Sequence, residues 1–175
     1  MPGGMILLKE FFHDEGLNLA GRTLERASAK AIIWDGRRLL MIYSAQGGGY
    51  KFPGGGVDGA ESDQQTLARE IEEECGARLV RIAGEFGQVV EYKRPFDPGY
   101  AVFKMISRYY LCQVEAGAGV LRLDDYEAAL GFRPVWVEID DALVANNALL
   151  HAPEGKVSSW LAREILILGL LQERF

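Results

Sequence analysis

Glu70, Glu73 and Glu74 are the residues whose types and spacing point most directly to chemistry. On a helix, positions three and four apart share a face, so these carboxylates project together while Glu72 points elsewhere. Like charges on one face repel, and a bound divalent cation relieves the repulsion. Mg²⁺ prefers carboxylate oxygen and commonly keeps waters and substrate phosphate as its remaining ligands. Alone, such a run has the ordinary reading of a solvated acidic surface. The flanking sequence changes that reading. Gly54-Gly55-Gly56 lies upstream, where bare backbone can approach a metal or phosphate closely. Glu61 stands at the start of the same segment, and Arg69 adjoins Glu70, where a guanidinium can orient a carboxylate through two hydrogen bonds.

The elements that must position these residues follow from pattern. Residues 62–75 are predicted as a helix, with Ser62 or Glu61 serving the first turn and Gly76 where a helix-ending glycine belongs. Leu67 and Ile71, spaced by four, anchor its other face in a core. Residues 26–34 and 37–44 read as strands around an Asp35-Gly36 turn, and 50–52 as a short extended piece ended by Pro53 and the glycines. Further strands are expected over 79–92, 102–114 and 132–139. Asp140 is expected to cap a helix reaching about 149, and an amphipathic helix closes the chain over 156–173. Helices interspersed among strands give an α/β layered domain with a mixed sheet. Residues 1–24 read as an irregular N-terminal extension, and 25–175 as a single domain.

The segment Gly55-x5-Glu61-x7-Arg69-Glu70-Ile71-x-Glu73-Glu74-x-Gly76-Ala77 resembles the Nudix box, G-x5-E-x7-R-E-U-x-E-E-x-G-U, of MutT-like Nudix hydrolases. Every charged and glycine position matches; only Ala77 is smaller than the usual aliphatic residue. Tyr50-Lys51-Phe52-Pro53-Gly54-Gly55 resembles the family's entry into the box, and 134–137 with 140–143 resembles its closing strand and helix. The resemblance implies an α/β/α sandwich with a central mixed sheet. It also implies Mg²⁺- or Mn²⁺-dependent hydrolysis of a nucleoside diphosphate linked to another moiety: a nucleotide, a nucleotide sugar or a modified triphosphate. By position, Glu70, Glu73 and Glu74 are the expected carboxylate ligands, with the Gly54 or Gly55 carbonyl as a further one. Arg69 orients a glutamate, and Glu61 supports the loop–helix–loop. Glu70 is the first choice of general base, with a glutamate on a later loop as the rival. Glu127 is the candidate for that later residue, with Glu115 and Glu91 as competitors.

Substrate contacts are sought at Lys51 and Phe52 beside the glycines, and at Lys93 and Arg94 after a strand; each also has an ordinary reading as surface base or core aromatic. Trp34 and Tyr92 are further aromatics able to stack a base. A net charge of -6 over 175 residues argues against avid, non-specific binding to phosphate backbones. Stable nucleic-acid binding is therefore not expected, and the substrate is expected to be a small nucleotide. The longest late apolar run, 165–171, is too short for a bilayer. Two cysteines form no disulfide framework, and a cytoplasmic protein is expected. The hydrophobic C-terminal helix packs on the sheet or forms a homodimer contact. Two other functions compete: removal of pyrophosphate from the 5′ end of RNA, which calls for a basic groove, and a non-catalytic nucleotide-ligand sensor. A sensor is expected to have lost box carboxylates, and all are present.

Overall fold

Ala29, Ala31 and Ile33 fall on one side of their strand and Ile32 on the other, and all four are buried. A strand buried on both faces needs a layer on each side of its sheet. The computed structural model, which describes residues 4–152 and 158–175, has that arrangement. Strand β2 (Thr23–Ile33) lies in a five-stranded mixed sheet with β1 (Leu7–Phe12), β5 (Gly54–Gly56), β6 (Ala77–Lys93) and β7 (Val102–Ala116). Their order is β1-β6-β7-β2-β5. The β1–β6 and β2–β7 pairs are parallel, while β6–β7 and β2–β5 are antiparallel. Strands β3 (Leu39–Ser44), β4 (Tyr50–Lys51) and β8 (Phe132–Val137) form a second, antiparallel sheet in the order β4-β3-β8.

Helix α1 (Asp63–Cys75) covers one face, where Leu67 and Ile71 pack with Ala29, Ala31, Ile33 and Tyr110. Burying two such side chains contributes roughly 1.5–3 kcal/mol each. Helices α3 (Ile139–Leu150) and α4 (Trp160–Arg174) cover the other face, bringing Ile139, Ala142, Ile167, Leu168 and Leu171 against Ile32, Val89 and Tyr109. The result is the expected α/β/α sandwich around a mixed sheet. Among the described residues, no helix is long and apolar enough to cross a membrane.

Four local expectations change. Residues 7–12, read as irregular, form β1, whose Leu8 and Phe11 pack against the core from a parallel pairing with distant β6. The polar stretch at 124–127 opens a short helix, α2 (Asp125–Ala129), with Asp124 as its cap. Helix α3 starts one residue before Asp140, with Glu138 at the cap position. Helix α4 begins at Trp160; the expected start at Lys156 lies outside the described residues.

Two buried polar contacts fix the chain where it enters the glycines. Asn146 of α3 accepts the Tyr50 N–H at 2.8 Å and donates to the Tyr50 carbonyl at 2.9 Å. Glu164 of α4, fully buried, accepts the Phe52 N–H at 2.8 Å and the Tyr109 hydroxyl at 3.1 Å. Arg163 donates to Glu164 at 3.1 Å and to buried Glu91 at 2.5 Å, so these charges are paired. Removing one partner of such a buried set costs about 3–5 kcal/mol. The backbone on both sides of Lys51 is thereby clamped.

Candidate metal centre

The helix that carries the glutamates is fastened at both ends. Ser62 Oγ accepts the Gln65 N–H while the Gln65 side chain accepts the Ser62 N–H, a reciprocal capping box. Gly76 closes the helix at φ 61°, a left-handed conformation that glycine adopts without a Cβ penalty. Between these ends, the core-facing positions Leu67 and Ile71 leave Glu70, Glu73 and Glu74 turned toward the glycine segment. Glu72 turns away and pairs with Arg122 at 3.0 Å.

Arg69 gathers the near end of this face. Its Nε and Nη2 donate to the two oxygens of Glu61 at 2.9 and 3.0 Å, and Nη2 also reaches the Gly56 carbonyl at 3.2 Å. Nη1 donates to Glu70 at 2.7 Å and to Glu73 at 3.4 Å, and Asp58 lies 3.6 Å from Nη2. Glu61 additionally accepts the Thr66 hydroxyl at 2.9 Å. The Arg69 bonds, aided by Thr66, hold the Glu61 carboxyl down at about 2. Glu70 moves the other way: burial raises it above its ordinary value, against the opposing pull of Arg69. Its carboxylate lies against the Gly55 Cα, in space that a Cβ would fill.

The far end is arranged differently. Glu74 is 1% exposed, and its Oε2 accepts the Gly54 N–H at 2.7 Å. Its Oε1 is buried without a hydrogen bond. Lys51 Nζ stands 3.3 Å away, within ion-pair range but outside hydrogen-bond geometry. Burial pushes Glu74 up to about 7, opposed by Lys51, Lys30 and the Gly54 N–H. Glu127 approaches from α2. One oxygen accepts the Asp124 N–H at 3.1 Å, and the other lies 4.0 Å from Lys51 Nζ. Glu70, Glu73, Arg69, Asp58, Asp124 and Glu127 line one cleft of about 390 Å³.

The structure thus brings Arg69, Glu70, Glu73, Glu74, Gly54, Lys51 and Glu127 to one place. Of Glu127's competitors, Glu115 pairs with Arg78 on exposed strands, and Glu91 is buried against Arg163 and His13. Phe52 is corrected from a substrate contact to a core residue. It is fully buried, edge-on to Tyr109 at 5.7 Å, because neighbouring residues of an extended chain face opposite sides and Lys51 turns toward Glu74 and Glu127. Lys93 lies over the Phe103 ring at 5.0 Å in a separate pocket with His13 and Arg163, and the Arg94 N–H bonds Asp14. Neither lines the cleft. Trp34 stacks on Phe175 and Tyr92 on Phe12.

Sequence reasoning missed Lys30. Its Nζ donates to the Gly54 carbonyl at 2.6 Å, so the expected carbonyl ligand already has a partner. Burial, with Arg163 and Lys51 nearby, lowers Lys30 to about 8. A lysine inside the apolar run 29–33 was the available signal, since a buried ammonium requires acceptors.

A glycine-bounded helix that presents paired carboxylates to a cleft defines a class of loop–helix–loop site. The family model for the NUDIX domain matches residues 24–161, and the chain belongs to that family. An RNA pyrophosphohydrolase of Campylobacter jejuni subsp. doylei is 33% identical over 90 residues, covering 45% of this chain and 56% of that protein. One from Sulfurovum sp. is 41% identical over 74 residues, covering 41% and 47%. The chain thus spans about half the length of the curated relatives it matches. A NUDIX hydrolase from Nitrosomonas europaea superimposes with TM-score 0.56 at 19% identity, covering 87% of this chain and 93% of that one. A MutT NUDIX hydrolase from Burkholderia pseudomallei gives 0.51 at 20% identity, covering 81% and 96%. These likenesses show the fold.

Divalent cations are general to the family's hydrolases, and the donor set fits one. Hard carboxylate oxygens converge from two helices, one buried oxygen lacks a hydrogen bond, and Gly55 leaves room for Glu70. Among the described residues, the acidic groups are not drawn into a finished ligand cluster. Arg69 and Lys51 hold them instead.

Proposed function

We propose that this chain is a Mg²⁺- or Mn²⁺-dependent pyrophosphohydrolase that cleaves the phosphoanhydride of a nucleoside diphosphate linked to another moiety. The observation that carries this reading is the buried, unbonded Oε1 of Glu74, beside Glu70 and Glu73 and facing Glu127 across Lys51. Leaving such an oxygen unsatisfied costs on the order of 1–3 kcal/mol, which a ligand to that oxygen recovers. Glu70, Glu73 and Glu74 would hold the cation, with Glu127 completing the set. The cation supplies neutralisation of phosphate charge and acidification of a bound water. Glu70 would accept the proton from the attacking water. Arg69 fixes Glu70 through a 2.7 Å bond and ties it to Glu61. Lys51 faces the substrate side of Glu74 and Glu127, where an ammonium meets phosphate charge. Phosphate release from dinucleotides, oxidised nucleoside triphosphates and nucleotide sugars, with Mg²⁺ and with Mn²⁺, tests the reading. Turnover of at least one class is expected only with a cation, whereas silence across the panel favours a ligand sensor.

A second reading is removal of pyrophosphate from RNA 5′ ends, favoured by the names of the partial relatives. The basic side chains at the cleft weaken it, because Arg69 and Arg122 are both paired with acids. A 5′-triphosphorylated oligonucleotide in the same panel separates the two: preference for it over every small nucleotide would reverse our ranking.

A further inference from the structure

Three cations neutralise the acidic face, and they are not held alike. Arg69 is fixed by hydrogen bonds to Glu61, Glu70 and the Gly56 carbonyl. Lys30 is buried and bonded to the Gly54 carbonyl at 2.6 Å. Lys51 makes no side-chain hydrogen bond among the described residues. Its ammonium sits 3.3 Å from Glu74 Oε1 and 4.0 Å from Glu127 Oε1, two oxygens from different helices. Its backbone does not share this looseness, since Asn146 and Glu164 clamp the residues on either side.

We infer that Lys51 is a built-in counter-ion for the Glu74–Glu127 pair, held in place of the divalent cation and displaced when one binds. The inference rests on the proposed cation-dependent hydrolysis and adds a positioning role to that site. Positive charge between two carboxylates keeps them close, because without it they repel. A divalent cation entering the same space repels the ammonium. Of the three basic groups, Lys51 yields at least cost because no hydrogen bond is broken. Nζ already lies over the Phe132 ring at 4.2 Å, a contact the ammonium can keep as it moves off the carboxylates. Lys51 therefore weakens cation binding while preserving the geometry that receives the cation.

The test is Mn²⁺ affinity, measured on the full chain from the paramagnetic signal of free Mn²⁺, together with melting temperature at pH 8. Lys51→Met is expected to bind Mn²⁺ about tenfold more tightly than wild type, and Lys51→Arg to stay close to wild type. Without cation, Lys51→Met should melt below wild type, and saturating Mn²⁺ should close that gap. A merely structural lysine would lower the melting temperature equally with and without Mn²⁺. Equal or weaker Mn²⁺ binding by Lys51→Met overturns the inference while leaving the hydrolase reading intact. Absence of Mn²⁺ binding by wild type overturns both. Lys51→Gln serves the same comparison if the methionine variant does not fold.

Discussion

The two ends of the acidic face on α1 solve the same electrostatic problem in opposite ways. At the Arg69 end, one guanidinium bonds Glu61 and Glu70, and every donor has a geometric partner. At the Lys51 end, a buried carboxylate oxygen has an ion-pair neighbour but no hydrogen bond. The first has its hydrogen bonds complete without ligand. The second is left unfinished, and the polar group it leaves unsatisfied is what gives a cation something to gain there. Proximity along a helix therefore does not make the glutamates equivalent.

Substitutions at each end should have different consequences. Gly55→Ala should act on turnover, because its Cβ would occupy the space of the Glu70 carboxylate. Displacing that group by about 1 Å should cost turnover roughly tenfold to a hundredfold, while circular dichroism stays native. A Gly55→Ala enzyme with normal kcat would remove Glu70 from the site. Arg69→Lys comes next: a single ammonium cannot reproduce the fork that spans Glu61 and Glu70. A loss of about 1–2 kcal/mol in urea unfolding is expected, discounted because Arg69 is part-exposed. The other end should show a pH dependence. Burial raises the Glu74 carboxyl from 4.5 to about 7. The folded state then binds a proton more tightly than the unfolded chain, so cation-free stability from this group falls as pH rises from 4.5 to 7 and levels off above. Denaturation midpoints across that window should show the fall in wild type, and a flatter profile in Glu74→Gln.

How far the sequence foretold this depends on distance along the chain. Glu70, Glu73 and Glu74 were legible because helical spacing puts them on one face, and Glu61 and Arg69 because their spacing from that face resembles the Nudix box. Glu127 was a nearer guess, picked from a polar stretch whose capping role, Asp124 to Glu127, is local too. Lys30 and Glu164 were not legible as parts of the site. Their partners, Gly54 and Phe52, lie 24 and 112 residues away, and only sheet pairing and helix docking bring them together. Strand β1 escaped for the same reason, since its pairing partner is some eighty residues downstream. Phe52 was misassigned through adjacency to Lys51, although alternation along an extended chain forbids both from facing Glu74 and Glu127. An Arg163-Glu164 pair inside an otherwise apolar helix was a signal left unused.

In the proposed reaction the carboxylates of α1 bind the cation that hydrolysis requires. Turnover of Glu74→Gln on the best substrate of the panel, at saturating Mg²⁺, tests it most directly. A loss of at least about a hundredfold is expected, because the amide keeps the shape of the side chain and removes its charge from the cation. Near-normal turnover by that variant would mean that Glu74 does not hold the cation.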